Sequence, residues 1–150
     1  MANISIFIGR FNPIHVGHLN TIKYLSDEAK KNKATAYIGL TNTNDDADNP
    51  LPFKQKVKFA KLAVAPFSNV KISDTPVYAM YDFVRDVCFE CEKTGGGVVR
   101  WYAGSDRVPN YRKTSDGLLK KYNARNELMN VTIEVVEAAV RGSSTSYSAS

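Results

Sequence analysis

The chain has 150 residues, 43% hydrophobic and 23% charged, with a formal net charge of +5. That length suits one domain whose core needs no disulfide or metal staple, and the balance is that of an ordinary soluble globular protein. No apolar run approaches the roughly 20 residues that cross a bilayer, and "MANISIFIGR" lacks the layout of a signal peptide, so a cytoplasmic setting away from membranes is expected.

Along the chain, short runs rich in β-branched and aromatic residues alternate with helical patterns. "ISIFI" (4–8) reads as a strand that gives way to "GRFNP", and a helix begins near Gly17 with the stripe Leu19, Ile22, Leu25 and Ala29. Pro13 fixes a turn there, while Gly9 and Gly17 permit close backbone approach. The only two histidines of the chain, His15 and His18, fall in this stretch. "TAYIGL" (35–40) is the second strand, followed by the polar loop "TNTNDDADNPLP" (41–52), whose "DDAD" reads as a solvated turn rather than a metal site. Phe53, Val57, Ala60 and Val64 mark the second helix, and "NVKIS" (69–73) the third strand.

Met80, Val84, Val87, Cys88 and Cys91 recur at helical spacing, which turns both thiols toward the core as small hydrophobes. The alternative, a C-x-x-C zinc site, needs about four ligands and would consume both histidines. After the turn "GGG" (95–97), "VVRWYA" (98–103) is the fourth strand. The connection from 105 to 128 is longer, with "GLLKKYNARNELM" as its helical part, and "VTIEVV" (131–136) is the fifth strand. The last eight residues, "SSTSYSAS", read as a low-complexity tail. Between Arg100 and Arg125 seven basic residues face two acidic ones, an excess equal to the whole net charge. Such a segment attracts nucleic acid or a small polyphosphate, or is simply a solvated face. Trp101, Tyr102, Tyr111 and Tyr122 interleave with it, which motivates a nucleic-acid binder as the alternative reading.

Strand–helix alternation argues for a single α/β domain over 1–150, a Rossmann-like, doubly wound parallel sheet of five strands. Ligands of such sheets bind outside the carboxyl ends of the strands, where strand order reverses. The stretch carrying the histidines lies at one such end. Free N–H groups and the dipole at the start of the helix make an anion site, and imidazole N–H donors from His15 and His18 can face the same anion.

"GRFNPIHVGH" resembles the G-x-F-x-P-x-H-x-G-H signature of the HxGH nucleotidylyltransferase superfamily, whose sheet is of the HUP type. "NPLPFKQKVKFAKLA" looks like the family segment in which a Pro-x-x-x-basic stretch opens a helix and meets the acceptor substrate, and "YAGSDRV" (102–108) looks like the turn lining the nucleotide pocket. "GRF" and "GSDRV" are most similar to nicotinamide-nucleotide-type adenylyltransferases, particularly the short phage-encoded members. The C-terminus departs from the pattern. Where the family has an I-S-x-T-x-x-R-like motif that binds phosphates, "RGSSTSYSAS" offers two registers. Taking Ser143, Ser144 and Thr145 puts Ser148 at the arginine position, and starting at Ser148 leaves the basic residue beyond the last one given.

The resemblance implies transfer of AMP from ATP, with Mg²⁺ carried on the triphosphate, to a phosphate-bearing acceptor, with pyrophosphate leaving. Nicotinamide mononucleotide is the favoured acceptor, ahead of phosphopantetheine, FMN or a CTP-dependent transfer, and a nucleotide-binding module without turnover is a further alternative. By motif position His15 and His18 are catalytic, and Gly9, Arg10, Phe11, Gly17, Gly104, Ser105, Asp106, Arg107, Ser143, Ser144 and Thr145 bind nucleotide. Asn12, Lys54 and Trp101 are the acceptor-binding candidates, and no protein metal ligand is expected. Asp106 reads equally well as the N-cap of the following helix, and Trp101 as a core residue of its strand. Partners are ATP and a small phosphorylated acceptor, not nucleic acid, and the family likeness implies a homo-oligomer.

Overall fold

A computed structural model describes residues 2–9, 16–41, 52–73 and 76–138, with 2 and 16–18 described by their backbone. Strand β1 (Ala2–Gly9) lies at the centre of a five-stranded parallel sheet in the order β3-β2-β1-β4-β5. It pairs on one side with β2 (Thr35–Leu40) and on the other with β4 (Gly97–Ala103). Strands β3 (Val70–Ile72) and β5 (Val131–Glu137) form the edges. Successive side chains of β1 point to opposite faces, and both faces are closed: Ile6 is 0% and Phe7 2% exposed. A run of apolar residues without polar alternation is what a parallel strand covered on both sides requires.

The covering helices divide evenly. Helices α1 (Val16–Lys31) and α2 (Phe53–Val64) set Ile22, Leu25 and Ala60 against Phe7, Ile38 and Leu40. Helices α3 (Met80–Lys93) and α4 (Val108–Asn123) set Val84, Cys88 and Leu118 against Ile6, Val99 and Trp101 on the opposite face. Both cysteines of α3 are buried and outside any disulfide, and burial pushes Cys88 up to about 12. Helix α3 ends where Gly95 and Gly96 take positive φ of 102° and 84°, and the Gly96 amide returns to the Cys91 carbonyl at 2.9 Å. A Cβ on Gly96 would lie 2.4 Å from the Asn130 carbonyl oxygen, so this turn admits glycine for space as well as for conformation.

The fourth connection differs from the sequence expectation. Its helix runs from Val108 to Asn123, starting nine residues before Gly117 and stopping six before Met129. Pro109 stands in the first turn, where the missing N–H has no helical partner to lose. Gly117 sits mid-helix with open space beyond its Cα, a position that costs only about 1 kcal/mol relative to alanine. The buried stripe Val108, Tyr111, Ser115, Leu118 and Tyr122 extends through both. Asn126 and Leu128 take φ of 60° and 55° in the turn that follows, and the side chain of Leu128 plugs the core.

Candidate functional site

Strands β1, β2 and β3 are laid down in one direction from the centre, and the chain then crosses to the other side of β1 to place β4 and β5. The carboxyl ends of β1 and β4 are therefore the point where the order reverses, and a crevice opens between them. Gly9 is the last residue of β1, and the Thr41 amide donates to its carbonyl at 3.0 Å. Across the crevice, the Ala138 amide donates to the Ala103 carbonyl at 2.7 Å, holding the end of β5 beside that of β4.

Two helices begin at this edge. Helix α1 starts at Val16, so the backbone of Gly17 and His18 belongs to its first turn. The first amides of a helix have no carbonyl partner within it and favour an anion. Helix α4 starts at Val108 after a turn in which Gly104 is buried and Ser105, Asp106 and Arg107 are exposed. Arg107, not Asp106, occupies the N-cap position, and no side chain caps this helix, so Asp106 does not take the capping role open to it.

Burial pushes the Tyr111 phenol up, and the nearby Arg107 guanidinium counters it. Tyr111 in turn stacks on Trp101, with ring centroids 4.1 Å apart and planes 12° from parallel. The start of α4 is thus tied to the core, with the Tyr111 amide donating to the Arg107 carbonyl at 3.0 Å and the Tyr111 ring lying on Trp101. Trp101 itself is fully buried on the α3–α4 face, which puts its ring in the core rather than at the crevice. Tyr102 points to the other face, edge-on to Tyr24 at 5.8 Å.

Helix α2 brings the residue that sequence reading missed. Lys54 is exposed, whereas Lys56 is 0% exposed and its Nζ donates to the Thr41 carbonyl at 3.1 Å. A fully buried ammonium is costly unless polar groups surround it. Thr41 follows the end of β2, next to Gly9, so this cation is held at the mouth of the sheet. The available signal was periodicity: Lys56 lies four residues before Ala60 on the inward stripe of α2, where a lysine is unexpected. Thr41 also bridges to Val77, which sets Tyr78, 79% exposed, beyond the same mouth.

Arg10, Phe11, Asn12, His15, Ser143, Ser144 and Thr145, together with the "DDAD" loop, lie outside the described residues. Of the other candidates, the fold brings Gly9, Gly17, His18, Gly104, Ser105, Asp106 and Arg107 to one edge of the sheet, and keeps Lys54 on the solvent side of α2. No group of three or more His, Cys, Asp or Glu that could hold a metal occurs among the described residues. No helix among them is long and apolar enough to cross a membrane.

Residues 6–147 match the family described as cytidylyltransferase-like. A probable nicotinate-nucleotide adenylyltransferase of Methylacidiphilum infernorum is 28% identical over 116 residues, which is 75% of this chain and 56% of that protein. The chain therefore spans little more than half the length of that relative. Two structures of the Plasmodium falciparum nicotinic acid mononucleotide adenylyltransferase, complexed with APC and with NaAD, superpose with TM-scores of 0.54 and 0.56. Each is 14% identical, covering 91% of this chain and 75% and 76% of the other, a likeness of fold.

Proposed function

The chain belongs to the cytidylyltransferase-like family, and from that premise we propose that it transfers AMP from ATP to the phosphate of a pyridine mononucleotide, releasing pyrophosphate. One observation carries this reading. The glycine-ended β1 and the first turn of α1, which bears His18, meet the Gly104–Arg107 turn at the reversal of strand order. The M. infernorum relative, named for nicotinate nucleotide, supports a pyridine mononucleotide as acceptor, and the acid and amide forms of the ring are separated by experiment below.

In this reading the acceptor phosphate attacks the α-phosphorus of ATP in line, the bond to the bridging oxygen breaks, and pyrophosphate leaves. The protein needs no covalent intermediate; it contributes position and field. The amides opening α1 and the imidazoles of His15 and His18 stabilise charge that grows on the phosphoryl oxygens. Arg107 and Asp106 flank the adenosine side, at the start of α4. Lys56 replaces Lys54 as the cation for the acceptor phosphate, because its ammonium is fixed at the mouth whereas Lys54 is on the solvent side. Mg²⁺ enters this reading with the substrate, as MgATP.

The test is direct: incubate the protein with MgATP and, in separate reactions, nicotinate mononucleotide, nicotinamide mononucleotide, phosphopantetheine and FMN, then measure pyrophosphate and the adenylylated product. The expected result is a pyridine dinucleotide from one or both of the first two acceptors. Pyrophosphate from phosphopantetheine or FMN alone overturns the acceptor assignment. ATP binding by calorimetry with no pyrophosphate from any acceptor overturns the enzyme reading in favour of a nucleotide-binding module.

A further inference from the structure

Glycine inside a strand has no side chain to pack and often marks a place where another piece of backbone comes close. Gly39 stands one residue before the end of β2, opposite Ile8 of β1, and is buried. It takes none of the positive φ values for which glycine is otherwise needed. Its reason is space. A Cβ there would lie 2.8 Å from Cγ2 of Val77, closer than real Cβ atoms pack, and 3.1 Å from two ring carbons of Phe83. Val77 is buried and, being β-branched, is stiff at χ1. A methyl at position 39 therefore pushes on the backbone that carries Val77 and not merely on a mobile side-chain tip.

The missing side chain admits the strap 76–79, which leads from the β3 side into α3. The Val77 amide donates to the Leu40 carbonyl at 2.8 Å, and Val77 bridges Thr41 in parallel register. Thr41 is a junction. Its amide donates to the Gly9 carbonyl at 3.0 Å, at the end of β1, and its carbonyl accepts from the Lys56 ammonium at 3.1 Å. A buried ammonium must stay with the polar groups that solvate it, so the position of Lys56 follows that of the Thr41 carbonyl. Gly39, Val77, Thr41 and Lys56 thus form one unbroken path of packing and hydrogen bonds.

We infer that Gly39 is a positioning residue for the acceptor: by leaving room for Val77 it seats the strap on β2, and the seated strap fixes the Thr41 carbonyl that holds Lys56. The inference rests on the proposed role of Lys56 as the cation for the acceptor phosphate, and it adds a residue that touches no substrate. The effect is confined to one side of the site. The Gly104–Arg107 turn follows β4, which lies across β1 from β2, so the adenosine side is not disturbed by a change at Gly39.

Gly39→Ala is the perturbation. Gly39→Ala/Val77→Ala is the rescue, because removal of Cγ2 returns the space and leaves Phe83 to give only a few tenths of an ångström. Gly117→Ala, mid-helix with open space beyond it, is the control and should match wild type. In steady-state kinetics Gly39→Ala should lower kcat/KM for the acceptor about tenfold or more and change the KM for ATP little, with most of the loss recovered in the rescue variant. Val77→Ala alone leaves a gap instead of a clash; it should give a smaller loss in the same direction, and it carries the kinetic test if Gly39→Ala does not fold. Hydrogen exchange without substrate reads the brace itself: protection of the Thr41 and Val77 amides should fall at least about tenfold in Gly39→Ala, while the Ala36 amide, bonded to Asn69 at the other end of β2, stays as it is. Unchanged exchange at Thr41 and Val77 overturns the inference. So does faster exchange with wild-type acceptor kinetics, a loss shared equally by ATP and acceptor, or a loss that Val77→Ala does not recover. Wild type that makes no product fails the proposed function and removes the positioning role with it, whereas the exchange result still decides whether Gly39 seats the strap.

Discussion

Replacing Lys56 by methionine separates a buried cation that serves an anionic substrate from one that merely braces a loop. The methionine keeps most of the aliphatic stem, so the core contacts of α2 through Ala60 and Val64 are preserved. Two opposing terms act on stability. The Thr41 carbonyl loses its 3.1 Å donor, costing about 1–3 kcal/mol if it stays unpaired. The fully buried ammonium no longer has to be desolvated, which offsets much of that. A net change of about 1 kcal/mol corresponds to about 2–4 °C in Tm for a chain of this size. Activity should respond far more. A hydrogen bond to a charged group contributes about 1.5–3 kcal/mol, so kcat/KM for the acceptor should fall about 10- to 100-fold, while the KM for ATP changes little. Lys54→Met, two residues away on the solvent side, is the control and should leave both constants near wild type. Steady-state kinetics with varied acceptor, beside thermal melts, reads all of this. If the two variants behave alike, or Lys54→Met is the more damaging, the assignment of the cation is wrong.

Other substitutions probe the remaining roles. His18→Ala should keep the melting temperature and lower turnover by about 10²- to 10³-fold, as loss of a transition-state donor does; equal turnover in mutant and parent would remove histidine from the mechanism. Trp101→Ala opens a cavity beneath Tyr111 in a fully buried position, and about 3–5 kcal/mol should be lost in urea unfolding; an intact melt with a raised acceptor KM would instead make Trp101 a ligand contact. Alkaline pH should destabilise the chain, because Cys88 is held up to about 12 by burial while the unfolded thiol ionises nearer its ordinary value. Below that ordinary value the contribution is complete. As pH rises from about 9 toward 12 it is lost by up to about 1.4 kcal/mol per unit, with the raised phenols of Tyr102 and Tyr111 adding to the slope. Urea midpoints at pH 8 and 10.5 for wild type and Cys88→Ala check this, and an equal slope in both would refute the contribution of the thiol.

How far the sequence could be read follows from which forces are local. The five strands and the first three helices were legible because each has a continuous apolar stripe bounded by turn residues. The fourth helix was misplaced because Pro109 and Gly117 resemble boundaries, although a proline in the first turn and an exposed glycine are both tolerated once Val108 and Tyr111 have a core to bury against. The H-x-G-H stretch was legible through its likeness to a family signature after a glycine-ended strand, and of it the structure describes the backbone of Val16, Gly17 and His18. Lys56 was not. Its neighbours in sequence, Lys54 and Lys58, carry the same charge and are exposed, and only the closing of α2 onto β2 decides which of the three ammonium groups reaches Thr41.

The same reasoning explains why the catalytic edge and the acceptor side differ in how much the sequence reveals. Backbone amides at a helix start favour an anion whatever the neighbouring side chains, so glycine positions and strand order suffice to propose where the triphosphate lies. Recognition of an acceptor depends on side chains from separate elements. In the proposed reading Lys56 comes from α2 and meets Thr41 at the end of β2, 15 residues away in the chain, a contact set by the packing of α2 rather than by any local pattern.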